Sequence, residues 1–492
     1  MKRMMAILLT LLCVWSIWGC QETEKETAAH AFAEKTTEQM EQPLESPISE
    51  ARKADPTQES TALKETATPF VEISEENEEF IGEFMKQGGI KETALLDSDS
   101  ICITAKSLEY DSYSVKLKLL IENKSSIDLT VITGSIGYSP NSINGYMVDT
   151  GYLNCDVAAG KKSVETISFD YDELMVMGIY KLADLEIGFE IKDKNYNSVY
   201  SAPVRIETSH AASYDYSVDT YQETIASKAA QISWGYTVPF FSTDVPYEKN
   251  GIRLLSRGIL VNQDGETMAA LEFENISDTM IQVKIRNITV NGLVVNSSLW
   301  SSDDIYPGKK RVISVNLENV IKKEYREAYG IHSISAIEVS VELEEENGAF
   351  VTDAEQIVLE IPGNEVGVDT SGKELYNSNG IRIVAKAIME DPSSYSKNLH
   401  IPLLVENNYG EKIIVDDVYN SLSVNGFMVN GWLHSTEIPH GGMAAMDLEL
   451  AVSSLEEMQL NDPENIENIE FKLRIKTARK KIGDAEIKIT YK

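Results

Sequence analysis

Any chemistry this chain performs must come from a short stock of residues. Six histidines occur, His30, His210, His332, His400, His434 and His440. None stands in an HExxH motif or at a paired ligand spacing. His434 and His440 share one loop; a metal is the sharper reading of that pair and solvated loop side chains the plainer one. Asp97-Ser98-Asp99, Asp303-Asp304 and Asp416-Asp417 place carboxylates in clusters of the kind that hold calcium. They are not at equivalent positions, however, and none extends into an EF-hand loop. GxSxG, P-loop and GxGxxG signatures are missing from the sequence, and no Ser, His and Asp set recurs along it. The expectation is a non-catalytic protein with no metal and no cofactor.

Aromatic residues are the better candidates. Tyr152, Trp300 and Trp432 fall seven to nine residues after three copies of an Asn-Gly motif. Exposed, they would form platforms for stacking on sugar rings or gripping a partner protein. Turned inward, each would close the end of a domain. Cys102 and Cys155 are the thiols left once Cys13 and Cys20 are assigned to the N-terminal segment. An oxidising compartment would allow a disulfide between them, but nothing in their spacing fixes it, and two unpaired thiols is the other reading.

What positions these residues is a unit written three times. Each copy opens on a strand, ICITAKSL from Ile101, GIRLLSRG from Gly251 and GIRIVAKA from Gly380. A second strand ends in Glu-Asn at Asn123, Asn275 and Asn407. Then come SINGYMV, TVNGLVV and SVNGFMV, and sixteen or seventeen residues after each motif Asn a turn centred on Gly160, Gly308 or Gly441. Landmarks that agree in identity, order and spacing establish an internal repeat. Runs such as VKLKLLIE and IEVSVELE alternate apolar and polar residues, the period of a half-buried strand. Asn-Gly between apolar flanks specifies a type I′ hairpin, because both central residues need positive φ. The triplicated motif therefore reads mainly as scaffold. Brief helical periodicity appears only at YDELMVMG and NVIKKEYREAYG. About seven short strands per unit, without a Cys-Trp-Cys pin, suggest an immunoglobulin-like sandwich held by ordinary core packing.

The predicted architecture is all-β: three tandem immunoglobulin-like β-sandwich domains after a disordered N-terminal linker. Residues 1–19 read as a lipoprotein signal peptide and 20–72 as a disordered acidic linker, rich in Glu, Thr, Ala, Lys and Pro. Such a tether has a root-mean-square span of roughly 40 Å. Repeat 1 takes 73–208, including a short amphipathic helix before Gly88-Gly89. Residues 209–246 form an inter-repeat linker, repeat 2 takes 247–363 and repeat 3 takes 364–492.

Lys2 and Arg3 precede an apolar run that ends at Ile17-Trp18-Gly19-Cys20. That tetrad resembles the lipobox of bacterial lipoproteins, with Trp18 departing from the usual small or aliphatic residue. The resemblance implies cleavage before Cys20, a lipid (palmitate) on its thiol, and an extracytoplasmic chain anchored to the cell membrane. The order AK-strand, LLIEN, NGYMV hairpin, VAAGKK turn and LADLEIGFEI strand resembles tandem immunoglobulin-like repeats of uncharacterised lipoproteins from anaerobic Gram-positive bacteria. It implies a fold and an address, and no catalytic residues. The balance of 44 basic to 78 acidic residues, a formal charge of −34, repels phosphate backbones and argues against nucleic acid as a partner. The expected partners are the membrane, through the lipid on Cys20, and an envelope protein or glycan bound by the repeats. A structural stalk without a specific ligand is the alternative, and an enzyme acting on envelope material a more distant one.

Overall fold

The computed structural model describes residues 88–491 apart from 135–140, 245–246, 347, 350–351, 353, 364–365, 391–397 and 461. Cys20, His30, the signal segment, the acidic linker and the helical stretch before Gly88 lie outside the described residues.

Repeat 1 runs β1 (Thr93–Asp97), β2 (Ile101–Tyr110), β3 (Ser114–Asn123), β4 (Leu129–Thr133), β5 (Ser142–Ile143), β6 (Tyr146–Met147), β7 (Leu153–Val157), β8 (Lys162–Asp170), helix α1 (Tyr171–Val176), β9 (Asp184–Asp193) and β10 (Ser198–Glu207). Helices α2 (Thr220–Ala226) and α3 (Lys228–Trp234) lead into repeat 2. That repeat holds β11 (Tyr236–Ser242), β12 (Glu248–Lys249), β13 (Ile252–Asn262), β14 (Thr267–Asn275), β15 (Ile281–Val290), β16 (Leu293–Ile305), β17 (Lys310–Asn316), α4 (Leu317–Val320), α5 (Lys323–Ala328), β18 (Ala336–Glu345) and β19 (Glu355–Glu360). Repeat 3 holds β20 (Lys373–Ser378), β21 (Ile381–Ala385), β22 (Met389–Glu390), β23 (Leu399–Asn407), β24 (Ile413–Asp417), β25 (Ser423–Val424), β26 (Phe427–Met428), β27 (Gly431–Leu433), β28 (Thr436–Ile438), β29 (Met443–Leu450), α6 (Val452–Glu456), β30 (Asn468–Lys476) and β31 (Lys481–Thr490).

The protein is all-β, three tandem immunoglobulin-like sandwiches. In repeat 1 one sheet is ordered β1-β2-β3-β8; the other runs β10-β9-β4-β7, with the β5–β6 hairpin on the far end of β9. Repeats 2 and 3 repeat the plan with β11-β13-β14-β17 against β19-β18-β15-β16, and β20-β21-β23-β29 against β31-β30-β24-β28. The first, second and fifth principal strands thus share one sheet and the third, sixth and seventh the other, the immunoglobulin order. Alternation explains the layers: Val115, Leu117, Leu119 and Ile121 of β3 are buried while Lys116, Lys118 and Glu122 lie on the outer face. The helical readings at YDELMVMG and KKEYREAYG correspond to α1 and α5.

Two features depart from the sequence reading. The stretch 209–246 is not a plain linker: it forms α2 and α3, and β11 adds an antiparallel strand to the first sheet of repeat 2. Its apolar residues are the reason, since Tyr221 and Ile225 are buried in the core of repeat 1, and Trp234 is buried beside Tyr236. The repeats are also not separate beads. Tyr146 of β6 pairs in parallel with Lys310 of β17, and Leu293 and Val294 of β16 pair in parallel with Met443 and Ala444 of β29. Three hydrophobic cores remain distinct, but they trade residues across these junctions. Met268 and Ala270 of repeat 2 belong to the first core, and Val384 and Leu404 of repeat 3 to the second.

Candidate interaction surface

The three Asn-Gly motifs sit at the centre of the geometry. Asn144, Asn291 and Asn425 have φ of 50°, 50° and 49°, and the glycines after them 87°, 80° and 83°, the type I′ turn that the dipeptide specifies. Each asparagine side chain then ties the hairpin to the segment entering the next long strand. Asn144 Oδ1 accepts from the amides of Ala183 and Asp184 at 2.7 and 3.2 Å, and its Nδ2 donates to Lys181 O. Asn291 makes the same set with Ser335, Ala336 and Ser333, and Asn425 with Glu467, Asn468 and Asn465. In each copy the carboxamide oxygen holds two backbone amides and the Nδ2 a backbone carbonyl, which is a structural role. The motif is scaffold in every copy.

The Glu-Asn asparagines are scaffold as well. Asn275 is fully buried; its Nδ2 donates to Thr279 O and Ile305 O, and its Oδ1 accepts from the Ser277 amide and hydroxyl. Its own amide donates to Lys309 O beside the turn glycine. Asn123 and Asn407 make the matching bonds.

What the hairpins position is the junction. Between repeats 1 and 2, Tyr146 of β6 reaches the fully buried Glu272 of β14 at 3.3 Å and Asp219, the N-cap of α2, at 3.1 Å. Gln222 and Ser256 also donate to Glu272, at 3.0 and 2.8 Å. Lys310 lies 2.5 Å from Asp219, 4.0 Å from Glu272 and over the Tyr146 ring. Burial above all, and then the Asp219 carboxylate, push the Glu272 carboxyl up to about 7. Burial lifts Asp219 too, but the bonds from Lys310 and the Gln222 amide outweigh it and leave Asp219 below its ordinary value. Nearby, Glu173 of α1 accepts from Thr150 and the amide of Asp149, and burial with the Asp149 charge raises it as well. Arg311 bridges Asp149 and Asp303 across the same seam. Between repeats 2 and 3, Tyr329 donates to Leu403 O and Met446 O, and Tyr325 to Asp447, which also meets His400 Nδ1 at 2.7 Å. These groups close the seams between domains. Sequence alone named His400 and Asp303 only as a histidine without a ligand spacing and a member of an acidic cluster, and gave no pointer to Glu272, which occupies a place held by Leu120 and Leu404 in the other copies.

The aromatics singled out from the sequence are not alike. Tyr152, just before β7, and Trp432, in β27, are exposed. Trp300, in β16, packs against the core of repeat 2, and its indole N–H points at Ser314 O, 3.4 Å away. Repeat 3 also exposes Tyr419, Phe427 and Met428; none of these three was singled out from the sequence as a site residue, since Tyr419 lies in a turn and Phe427 and Met428 in the Asn-Gly hairpin read as scaffold. Cys102 and Cys155 are free thiols. The disulfide is not formed, for a geometric reason: Cys102 alternates outward between buried Ile101 and Ile103 on one sheet, while Cys155 faces the core from the other. Burial pushes the Cys155 thiol up to about 11, in keeping with an unreactive core position.

Among the described residues no group of three or more His, Cys, Asp or Glu side chains is disposed to hold a metal. The acidic clusters are engaged otherwise: Asp97 by Lys124, Asp303 by Arg311, Asp304 by Gln282 and Asp416 by Lys476. His440 Nδ1 accepts from the Gly410 amide. Two depressions stand out. A crevice of about 40 Å³ at the first junction is lined by Met147, Val176, Met268 and Val312, room for water rather than a sugar. An open groove of about 340 Å³ in repeat 3 has Lys373 and Lys386 on its walls. Both ammonium groups are taken up by backbone, Lys386 by Asp369 O and Ser371 O and Lys373 by Thr490 O. No helix among the described residues is long and apolar enough to cross a membrane.

No known family model matches the chain, and no curated protein matches it. Solved structures offer only remote likeness. The exo-chitosanase CsxA of Amycolatopsis orientalis is 6% identical over 82% of this chain and 78% of its own, with a TM-score of 0.16. The central fibronectin-III array of RIM-binding protein is 9% identical over 83% and 98%, with a TM-score of 0.14. An anti-sigma factor domain-containing protein is 11% identical over 45% and 83%, with a TM-score of 0.12. Likeness at that level carries no argument about activity or ligand.

Proposed function

We propose that this chain is a non-catalytic surface lipoprotein, anchored outside the membrane through Cys20, whose tandem sandwiches bind an envelope or extracellular ligand, protein or glycan. The observation that carries the reading is the exposure of Trp432 and Tyr152, each in the segment that follows its own hairpin. Large amphipathic rings at low conformational cost are what a carbohydrate or protein surface grips. Charge narrows the partner class: at −34 the chain discourages polyanions. A spacer role is the second reading, favoured by the parallel pairing that fuses adjacent sheets at both junctions. The test is a glycan array and an envelope-extract pull-down with the complete chain. A retained ligand should lose about ten-fold or more in affinity when Trp432 or Tyr152 becomes Ala, the loss typical of an aromatic hot spot. Trp300→Ala should lower stability instead. Failure to retain any glycan or protein leaves the spacer reading standing and removes the binding one.

A further inference from the structure

The outgoing arm of the Asn-Gly hairpin is covered in two repeats and bare in the third. Tyr146 and Met147 are 3% and 4% exposed, and Leu293 and Val294 0% and 6%, because β17 or β29 of the next repeat lies alongside. Phe427 and Met428 fill the same two places in repeat 3 and are 54% and 60% exposed, with β26 at the edge of its sheet. The receiving strand shows the complementary pattern. Four residues beyond the turn glycine, Val312 of β17 and Ala445 of β29 pack on the core of the preceding repeat. The residue at that place in β8 is Val164, 74% exposed, and β8 is likewise a sheet edge. Opposite Val164 on β3 stands half-buried Leu120, between Lys118 and Glu122, with Lys162 two residues along β8.

We propose that the bare hairpin arm of repeat 3 docks on the β8 edge of a second copy of this chain, forming between molecules the parallel pairing that each molecule already makes twice within itself. Equivalent registers set Phe427 opposite Lys162, as Tyr146 stands opposite Lys310 and Leu293 opposite Met443. Helix α5 reaches across its junction through Tyr325, and Glu173 of α1 lines the crevice at the other. Helix α6 holds the same place in repeat 3 and would lie in a second copy over the outer side of the β8 sheet, where Lys116, Lys118 and Lys162 are paired with Asp111, Glu109 and Glu122. Unpaired strand edges with exposed apolar side chains are templates for such addition. Because the two surfaces differ, the contact is heterologous and each added copy presents a fresh edge, so growth is head-to-tail. This assembly does not depend on which ligand the aromatic loops take.

The test is sedimentation velocity over a concentration series, using the complete chain with Cys20→Ser so that no lipid drives association. The wild-type sequence is expected to gain mass with concentration beyond the dimer. Val164→Asp and Phe427→Asp, both at exposed positions, should each remain monomeric. Their equimolar mixture should double in mass and stop, because each variant keeps the surface the other has lost; recovery of that dimer also shows both variants folded. A wild-type chain that stays monomeric at all concentrations overturns the proposal, whether the edges are covered by its own N-terminal segment or by nothing. Self-association of either variant alone, or a mixture that stays monomeric, overturns it equally.

Discussion

A single asparagine carries more of this architecture than any catalytic-looking group. Asn275 is fully buried, and its carboxamide serves two carbonyls, an amide and a hydroxyl while its amide holds the turn before β17. Removing that side chain strands buried polar groups, a loss larger than the net worth of the bonds themselves. Asn275→Ala is expected to destabilise the protein by roughly 2–3 kcal/mol, read as a lower urea midpoint at unchanged slope. The Asn-Gly turn was legible in the text, since its backbone requirement is local, whereas Glu-Asn was legible only as a recurring landmark, because burial of its carboxamide depends on how the two sheets meet. Trp300 and Trp432 were not told apart, because exposure depends on which sheet the loop after the hairpin joins. In repeat 2 the loop is absorbed into the long strand β16; in repeat 3 it makes the short β27 on β29.

Elements meet where the sequence gives little warning. The hairpin arm β6 and the strand β17 are far apart in the chain, and their pairing is visible only in the fold. Local periodicity predicts which residues leave the core face, but not that another repeat will cover them. Met268, Ala270 and Glu272 are the outer-face residues of β14, and all three are buried. The ionisable member gives the junction a pH dependence. A carboxyl raised to about 7 by burial and by Asp219 binds its proton more tightly folded than unfolded. Its contribution is therefore fully present below the ordinary glutamate range near pH 4.3 and is lost as pH rises through about 7. Glu272→Gln, which keeps the shape and removes the charge, should raise the thermal midpoint at pH 8 and flatten its change between pH 5 and 8. The difference between variant and parent should be on the order of 1–3 kcal/mol at pH 8. An unchanged pH profile would place the ionised carboxylate comfortably in its site.

At the scale of the whole molecule, the three-sandwich plan was readable from landmarks, whereas the fusion of the sandwiches into shared sheets was not. The reason is physical: a repeat unit specifies its own strands through alternation and turn residues, while a junction depends on long-range register between two copies. The stretch 209–246, read as a linker, shows the same limit, since its helices gain their stability from Tyr221 and Ile225 buried in repeat 1. The central claim is that the hairpin arm of one repeat is hydrogen-bonded into the sheet of the next, with the Lys310 amide donating to Gly145 O. Hydrogen exchange followed by mass spectrometry at a dilution that suppresses association tests this directly. Peptides covering residues 144–148, 291–296, 308–314 and 441–446 should be protected like interior strands, and the peptide covering 425–429 should exchange rapidly. Junction peptides that exchange as fast as 425–429 would mean that the sandwiches are joined by chain alone, and the account of a welded array would be wrong.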